Sequence, residues 1–251
     1  MDIKEYLKTP CRVFEFDTID STNNEAKRII EKDAEVCPFA VVANGQTNGR
    51  GRQGKSFYSP KNTGIYMSVV FEVPGDADVT FFTSAAAVAV SAAIESCSNK
   101  KTEIKWVNDI YADGKKVCGI LCEAVFSNRR EKTGRFIVVG VGVNISTENF
   151  PDELKKTATS LEGITCEKNK LIAEITDNIL TVAKKPDAEF LFENYRKKSC
   201  VIGKNIRYLQ NNVWYDGYAS DINRDGSLEV VRNDGSRVKL SGGEITLRIE
   251  R

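Results

Sequence analysis

The spacing of apolar positions along the chain predicts four helices. In "STNNEAKRIIEKDA" a capping box, Thr22 to Glu25, precedes helical periodicity that extends to about Ala34. The segment "TFFTSAAAVAVSAAIESCS" is apolar around most of a helical circumference, which predicts a buried helix. Amphipathic periodicity predicts two more helices, at 169–185 and 187–198.

Alternating apolar runs predict strands between these helices. The runs are "FAVVANGQT", "GIYMSVVFEV" and "RFIVVGVGVNIS", with a strand–turn–strand in "TEIKWVNDIYADGKKVCGILCEAVF" whose turn is Asp113-Gly114. Helices and strands are mixed without regular β-α-β alternation. The sequence therefore predicts an α+β fold rather than a doubly wound sheet.

The pattern changes after "RKKSC". From Val201 onward, the short runs "NIRYL", "SLEVV", "RVKL" and "ITLRI" are separated by turn sequences such as Arg224-Asp225-Gly226 and Asn233-Asp234-Gly235. Closely spaced strands and tight turns predict a small all-β barrel of about 50 residues. We place a domain boundary near 199/200, which gives a first domain of 1–199 and a second of 200–251.

Composition and charge indicate a globular protein of the reduced, cytoplasmic class. The 251 residues are 41% apolar and 28% charged, and 36 basic against 35 acidic residues give a net charge of +1, so no global field favours nucleic acid or membrane. No apolar run reaches the roughly 18 residues of a membrane-spanning helix, and the N-terminus lacks a signal-peptide layout. Seven cysteines without C-x-x-C pairs argue against a disulfide scaffold.

The chain contains no histidine. This excludes Ser-His and Cys-His nucleophilic dyads and every histidine-ligated zinc site. Any chemistry must therefore use carboxylates, lysine, arginine, a bound metal, or the orientation of substrates alone.

The stretch "GRGRQGKS", at 49–56, formally matches a phosphate-binding P-loop. A P-loop needs a helix directly after it, because the helix N-terminus holds the phosphates. Here "FYSP", the turn Asn62-Thr63-Gly64 and an alternating β-branched run follow instead, so the P-loop interpretation fails. Three glycines with Arg50, Arg52 and Lys55 predict a mobile loop that closes over an anion.

A second polar cluster lies in "KWVNDIYADGKK" and contains Lys105, Asn108, Asp109 and Lys116. By itself it is equally compatible with a solvated hairpin. A carboxylate in an apolar strand context, however, requires a cation partner, and Asp109 is also suited to bind a metal. Together with the cationic loop, the cluster indicates adenylation, in which an acid and ATP, both negative, are held by cations.

Four segments of the sequence carry a resemblance to a known family: "STNNEAK", "ANGQTNGRGRQGKSFYSP", "KWVNDIYADGKKVCGILCE" and "VVGVGVNI". Their order and spacing resemble those of biotin–protein ligases, over roughly residues 12–251. The resemblance implies a mixed β-sheet catalytic domain of the class II aminoacyl-tRNA synthetase/biotin ligase type, followed by an SH3-like β-barrel. About a dozen residues precede the first strand, which resembles the monofunctional form without a winged-helix repressor domain and without DNA binding.

The activity implied by the resemblance has two steps. Biotin would be activated with ATP and Mg²⁺ to biotinyl-5′-AMP and pyrophosphate, and the biotinyl group would pass to a lysine of a biotin carboxyl carrier domain of acetyl-CoA carboxylase or a related carboxylase. Neither step needs a histidine. The implied location is cytoplasmic, with no membrane partner, and a homodimer is left open.

The resemblance also implies roles for individual residues. Lys116 and Arg52 would be catalytic, and Asp109 would hold magnesium. The implied biotin-binding residues are Ser21, Thr22, Asn23, Gln46, Gly49, Arg50, Gly51, Arg52, Lys116 and Gly140. The implied ATP-binding residues are Arg50, Arg52, Lys55, Phe57, Asn108, Lys116 and Asn144. Departures from the family pattern occur at Gln53, Lys55, Phe57 and Val107, and they affect nucleotide affinity more than reaction type.

Two other functions remain as alternatives. A lipoate–protein ligase has a related fold and the same two-step chemistry, but "GRGRQGK" does not match its arginine-rich motif. A non-catalytic biotin sensor would tolerate the loss of Lys116 and Asp109, and both are present.

Overall fold

A computed structural model describes residues 2–33, 36–127, 134–243 and 245–247. In these ranges the chain forms a seven-stranded sheet and a five-stranded sheet. Helices cover both faces of the larger sheet, and the smaller sheet follows the last helix in sequence.

The larger sheet is mixed. Its strands are β1 (Arg12–Ile19), β2 (Phe39–Gln46), β3 (Gly64–Val73), β4 (Glu103–Lys105), β5 (Asp109–Ala112), β6 (Lys115–Ser127) and β7 (Gly134–Asn144). They lie in the order β1-β2-β3-β7-β6-β5-β4, where β1 and β2 are parallel and the other neighbours are antiparallel. The predicted α+β class is confirmed.

The helices are α1 (Ile3–Tyr6), α2 (Thr22–Lys32), α3 (Val79–Ser96), α4 (Lys168–Lys184) and α5 (Ala188–Lys198). Side chains alternate across β3, so Val69 belongs to the core under α3 and α4 while Val70 belongs to the core under α2. Both faces of the strand are therefore buried, which explains why β3 is almost continuously apolar.

Helix α2 begins differently from the prediction. The N-cap is Ser21 rather than Thr22, the first residue of the predicted Thr22–Glu25 capping box, and Ser21 makes no side-chain cap bond. Glu25 instead pairs with Arg28 at 2.7 Å. The Thr22 side chain is directed towards Gln46 and is unavailable for capping. The predicted end at Ala34 lies outside the described residues.

Helix α3 is buried, as predicted. By length and composition it is the one helix in the described ranges that is apolar enough to cross a membrane, with a mean hydropathy of 1.5. The prediction that no stretch reaches this length is therefore wrong. Its side chains, including Val90 and Ile94, pack in the protein core. The apolar length of α3 is therefore only weak evidence for a membrane span, because the core helix of a folded protein has the same composition.

The expectation that all cysteines are reduced is wrong for one pair. Cys97, at the end of α3, and Cys166, in the segment before α4, form a disulfide with their Cα atoms 5.3 Å apart. The remaining cysteines, at 11, 37, 118, 122 and 200, are free.

The second sheet has the predicted short strands. They are β8 (Lys204–Gln210), β9 (Val213–Ile222), β10 (Leu228–Val231), β11 (Arg237–Leu240) and β12 (Ile245–Leu247), in the antiparallel order β11-β10-β9-β8-β12. The Trp106 indole donates a hydrogen bond of 2.9 Å to the carbonyl of Gly226, in the turn between β9 and β10. The contact fixes the second sheet against the turn between β4 and β5.

Candidate active site

A cleft of about 390 Å³ opens on the larger sheet, next to β12 of the smaller one. It is lined by the start of α2, the loop 50–58, the turn and strands around β5, the middle of β6, the second half of β7 and a segment at 150–158. Gly243, Ile245 and Thr246 complete the lining among the described residues. Of the site residues predicted from sequence, all but Gly49 line this cleft. Folding therefore brings together segments that lie more than 100 positions apart.

One wall of the cleft is a buried polar row at the start of α2. Gln46 Oε1 accepts a hydrogen bond of 2.9 Å from the Thr22 backbone N–H. Ser68 Oγ on β3 lies 2.8 Å from Thr22 Oγ1 and 2.6 Å from Asn23 Oδ1. Ser21 is also buried beside this row. A row of buried hydrogen-bonding groups is suited to recognise a neutral polar ring.

Glu123 on β6 supports this wall. Its carboxylate accepts hydrogen bonds from Asn23 at 2.8 Å and Lys27 at 2.7 Å, and it pairs with Arg50 of the loop at 3.3 Å. Burial raises the pKa of Glu123, but the bonds from Lys27 and Asn23 outweigh burial and leave the pKa below its usual value. Glu123 therefore remains an ionised acceptor.

Glycines on β7 make room for side chains above the sheet. A Cβ at Gly140 would lie 2.2 Å from Asn23 Oδ1, and one at Gly142 would lie 2.4 Å from the Phe57 ring. Such distances are far inside van der Waals contact, so a side chain at either position would displace Asn23 or Phe57. The resemblance implied that Gly140 lets the backbone approach a ligand; in this structure the space above it is filled by Asn23.

The loop "GRGRQGKS" folds as a short hairpin. The Gly51 N–H donates to the Lys55 carbonyl at 2.7 Å, and Arg50 and Ser56 form an isolated bridge. Gln53 has a positive φ of 55°, and no α-helix follows. A Cβ at Gly49 would lie 2.4 Å from the Phe57 carbonyl, so Gly49 shapes the base of the loop.

The loop also contacts the opposite side of the cleft. The Arg52 guanidinium donates a hydrogen bond of 3.1 Å to Asn108 Oδ1, and Asn108 in turn donates to the Ile120 carbonyl at 2.6 Å. A Cβ added to Gly242 would lie 3.4 Å from Arg52, so the arginine also reaches the second sheet.

The hairpin between β4 and β6 supplies the other charges. Lys116 Nζ lies 2.7 Å from Asp109 Oδ1. Lys105 donates to the Tyr111 hydroxyl at 3.3 Å. Burial lowers the pKa of Lys105, and the charge of Asp109 offsets this only in part.

The charge balance of the cleft favours an anion. Five cationic side chains line it, and Asp109 is the one carboxylate among the described lining residues. The five cations are Arg50, Arg52, Lys55, Lys105 and Lys116. Within the described ranges, no group of three or more Cys, Asp or Glu side chains is placed to hold a metal. A metal here would therefore need ligands from a bound substrate.

Asn144, at the end of β7, has an unused acceptor. Its Nδ2 donates to the Thr159 carbonyl at 3.1 Å, but its buried Oδ1 has no hydrogen-bond partner among the described residues. Leaving such an acceptor unpaired costs roughly 1–3 kcal/mol. A ligand N–H in the cleft would satisfy it.

Sequence reasoning missed several lining or supporting residues. Lys105 belongs to the predicted polar cluster, but no binding role was predicted for it. Its position three residues before Asn108 was a signal that it could line the same site. Ser68, Tyr111 and Glu123 had no local signal, and neither did the cleft residues from the second sheet, Gly243, Ile245 and Thr246.

Comparison with known proteins gives a consistent result. Residues 15–144 match the profile of the Biotin/lipoate A/B protein ligase family. The bifunctional ligase/repressor BirA of Bacillus spizizenii is 33% identical over 243 residues, covering 92% of this chain and 72% of that protein. The biotin--[acetyl-CoA-carboxylase] ligase of Mycobacterium tuberculosis is 29% identical over 237 residues, which cover 90% of this chain and 85% of that protein.

Among solved structures, the biotin protein ligase from Aquifex aeolicus in complex with biotin and ATP aligns with a TM-score of 0.76 and 25% identity. The alignment covers 95% of this chain and 99% of that one, so it includes both sheets. With a profile match over more than half of the sequence, this chain belongs to the biotin/lipoate A/B protein ligase family.

Proposed function

We propose that this protein is a biotin–protein ligase, which activates biotin with ATP and transfers it to a lysine of a carrier protein. The observation that carries the proposal is the cleft whose described lining residues include five cationic side chains and one carboxylate, Asp109, which is ion-paired with Lys116. Biotin and ATP are both anions, and a site that joins them must neutralise their charges.

In the first step, a carboxylate oxygen of biotin attacks the α-phosphorus of ATP. A new P–O bond forms, the bond to the β-phosphate oxygen breaks, and pyrophosphate leaves with that electron pair. Lys116, Arg50 and Arg52 would stabilise the negative charge that develops on the phosphorus oxygens. Alignment of two bound anions supplies much of the rate, because the reaction becomes effectively unimolecular.

The polar wall is assigned to the biotin head. Thr22, Asn23 and Gln46, with Ser21 beside them, would face the ureido ring, and Arg50 with Gly51 would wrap the carboxylate. Lys55, Phe57, Asn108 and Asn144 are assigned to the nucleotide. The unpaired Asn144 Oδ1 supports this assignment, since it fits an N–H donor of the ligand.

The residues present fit a magnesium ion that arrives with ATP. Mg²⁺ is usually held by one or two carboxylates together with substrate phosphates and water, and Asp109 supplies one carboxylate in the cleft. Bound there, the ion would neutralise phosphate charge.

In the second step, the neutral amine of a carrier lysine attacks the activated carbonyl of biotinyl-5′-AMP. A C–N bond forms, the C–O bond to the phosphate breaks, AMP leaves with that electron pair, and the nitrogen loses a proton to solvent. As the partner we propose a biotin carboxyl carrier domain of acetyl-CoA carboxylase or a related carboxylase, and as the location the cytoplasm.

We assign the five-stranded sheet to a separate SH3-like β-barrel domain that begins at residue 200. The short antiparallel strands and their tight turns support the assignment. A net charge of +1 gives no reason to add DNA binding to this function.

The test is pyrophosphate release with biotin against lipoate, followed by transfer to a purified biotin carboxyl carrier domain. We expect release with biotin only, and labelling of one carrier lysine. Release with lipoate instead would identify a lipoate ligase, and biotin binding without release would identify a sensor.

A further inference from the structure

The disulfide between Cys97 and Cys166 joins the end of α3 to the segment between β7 and α4, residues 145–167. This stretch, which we call the cleft segment, contains no helix or strand. A segment without secondary structure depends on its contacts with the rest of the protein for a fixed position. Its middle lines the cleft, at Phe150, Leu154, Thr157 and Ala158.

The cleft segment holds two of the residues assigned to the ligands. The Lys116 N–H donates to the Thr157 carbonyl at 2.9 Å, and the Lys116 carbonyl accepts from the Thr159 N–H at 2.9 Å. Asn144 Nδ2 donates to the Thr159 carbonyl at 3.1 Å. The positions of Lys116 and of the Asn144 amide therefore depend on where this segment lies.

The loop that begins at Cys97 is linked to the far end of the cleft segment in three ways. The first link is the disulfide, and the second is a hydrogen bond of 2.8 Å from the Thr165 N–H to the Cys97 carbonyl. In the third, Lys100 pairs with Glu162 at 3.3 Å, but the Glu162 side chain is 73% exposed. An ion pair so exposed to water contributes little. The disulfide is the one covalent link of the three.

The surroundings of the two sulfur atoms suit a bond that opens and closes. Cys97 is fully buried, whereas Cys166 is partly exposed, so a reductant has access from the Cys166 side. Glu174 Oε2 lies 3.8 Å from Cys97 Sγ. In the disulfide this sulfur has no proton to donate, but a reduced Cys97 thiol would have this acceptor beside it. Reduction therefore does not leave a buried S–H without a partner.

We propose that this disulfide is a redox-sensitive latch. When it is formed, it fixes the cleft segment against Lys116 and Asn144, and its reduction weakens the binding of ATP. The inference rests on the proposed function, because that function assigns both residues to the nucleotide. It also agrees with the proposed cytoplasmic location, where the disulfides that do occur are usually transient and redox-sensing or catalytic.

A dithiol reductant opens the latch by thiol–disulfide exchange. One thiolate of the dithiol attacks the Cys166 sulfur, the S–S bond breaks, and Cys97 leaves with the electron pair and takes up a proton. The second thiolate of the dithiol then displaces Cys166, which also takes up a proton. The dithiol becomes a disulfide, so two electrons and two protons pass to the protein.

The test compares oxidised wild-type protein with the same protein reduced by dithiothreitol. Reduction should raise the dissociation constant of ATP about 3- to 10-fold, as expected when a hydrogen bond of the site is no longer held in place. It should also speed amide hydrogen exchange in residues 150–160. The dissociation constant of biotin without nucleotide should change less than that of ATP, because the polar wall is built on α2, β2 and β3.

Two variants accompany wild type. Cys166→Ser cannot form the bond, so it should bind ATP like reduced wild type, with or without dithiothreitol. Cys11→Ser is the matched control, because Cys11 is a free and partly exposed thiol, and its response to dithiothreitol should equal that of wild type. Thermal melting verifies that each protein folds. If Cys166→Ser does not fold, the two redox states of wild type still decide the question without any substitution.

Thiol titration of the denatured protein verifies the redox state. Of the seven cysteines, five should react before reduction and all seven after it. Seven reactive thiols in protein treated with an oxidant would show that the bond does not form, and would overturn the inference.

The remaining outcomes separate the latch from the proposed function. If neither redox state binds ATP, the proposed function fails, and hydrogen exchange still tests whether the disulfide fixes the cleft segment. Equal ATP binding in the oxidised and reduced states of wild type, or a response to dithiothreitol that persists in Cys166→Ser, would refute the latch. A lower melting temperature on reduction, with unchanged ATP binding and exchange, would mean that the disulfide only stabilises the fold.

Discussion

The Lys116 ammonium lies 2.7 Å from the Asp109 carboxylate inside the cleft, and the two side chains are 30% and 25% exposed. Each charge therefore has the other as its partner, because a charge that is largely shielded from water is costly when it is unpaired. Replacing either residue leaves the other charge without this partner.

Replacing Lys116 with alanine should abolish most adenylate formation. The lysine would contact charge that develops in the transition state, and losing such a contact costs about 2–4 kcal/mol, or roughly 30- to 1000-fold in rate. The measurement is biotin-dependent pyrophosphate release.

Lys115→Ala is the matched control, because Lys115 is adjacent but exposed and does not line the cleft. It should retain wild-type activity. Near-normal release by a folded Lys116→Ala variant would contradict the assignment.

Asp109→Asn should raise the magnesium concentration needed for adenylation much more than it weakens biotin binding. An amide keeps the shape but lacks the negative charge that Mg²⁺ prefers. The measurement is the midpoint of a magnesium titration at fixed ATP, beside the dissociation constant of biotin alone.

The control is Asp113→Asn in the β5–β6 turn, where the residue has a positive φ of 51° that asparagine tolerates. Its titration should match wild type. Equal midpoints for Asp109→Asn and wild type would mean that Asp109 serves only as a partner for Lys116.

Arg52→Gly should still make biotinyl-5′-AMP, more slowly because one cation is lost from the phosphorus oxygens, and should release it into solution. The arginine joins the loop to Asn108, and its loss removes a charge-assisted contact and adds chain freedom at the same position. Escaped adenylate should label lysines on a bystander protein without a carrier domain. Biotin incorporation into that protein measures the escape, and protease protection with and without ligand reports the order of the loop.

Gln53→Gly is the control that distinguishes the loss of a cation from a gain in chain freedom in the loop. Gln53 already has a positive φ of 55°, so glycine adds chain freedom there without removing a cation. Its bystander labelling should remain near wild type. If labelling by Arg52→Gly does not rise while adenylate synthesis persists, Arg52 has no role in retention.

Lys105→Arg should extend ATP binding to higher pH. Burial lowers the pKa of Lys105, so the ammonium loses its proton at a lower pH than an ordinary lysine and the cleft loses a positive charge. Arginine stays protonated across this range. Burial raises the pKa of the neighbouring Tyr111, so the tyrosine does not ionise first.

The measurement is the dissociation constant of ATP as a function of pH. In wild type it should rise as pH increases through the pKa of Lys105, and in Lys105→Arg the rise should shift upwards. The exposed Lys101→Arg change should leave the profile unaltered. The same alkaline midpoint in all three proteins would exclude Lys105 from ATP binding.

Many elements of the fold were predictable because their signals are local. Periodicity placed α4 and α5 within a residue or two of their bounds, at Lys168–Lys184 and Ala188–Lys198. The turn at Asp113-Gly114 was predictable because aspartate and glycine tolerate the positive φ that both residues have in the structure. The start of α2 was less predictable, because Thr22 satisfies distant groups rather than its own helix.

For the site, the sequence by itself determined the available chemistry. A chain without histidine, with cations spaced along a glycine-rich loop and in the hairpin at 105–116, can neutralise anions but cannot use imidazole catalysis. These are properties of residue type and close spacing, which any folded arrangement of the segments retains.

Only the tertiary structure decided which of these groups meet. Glu123 and Asn23 are 100 positions apart, and Ser68 and Asn23 are 45 apart; they come together because β3, β7 and β6 are neighbours in the sheet. The crowding above Gly140 likewise arises from the Asn23 side chain. Strand order and register depend on the packing of the whole core, so no local pattern encodes these contacts.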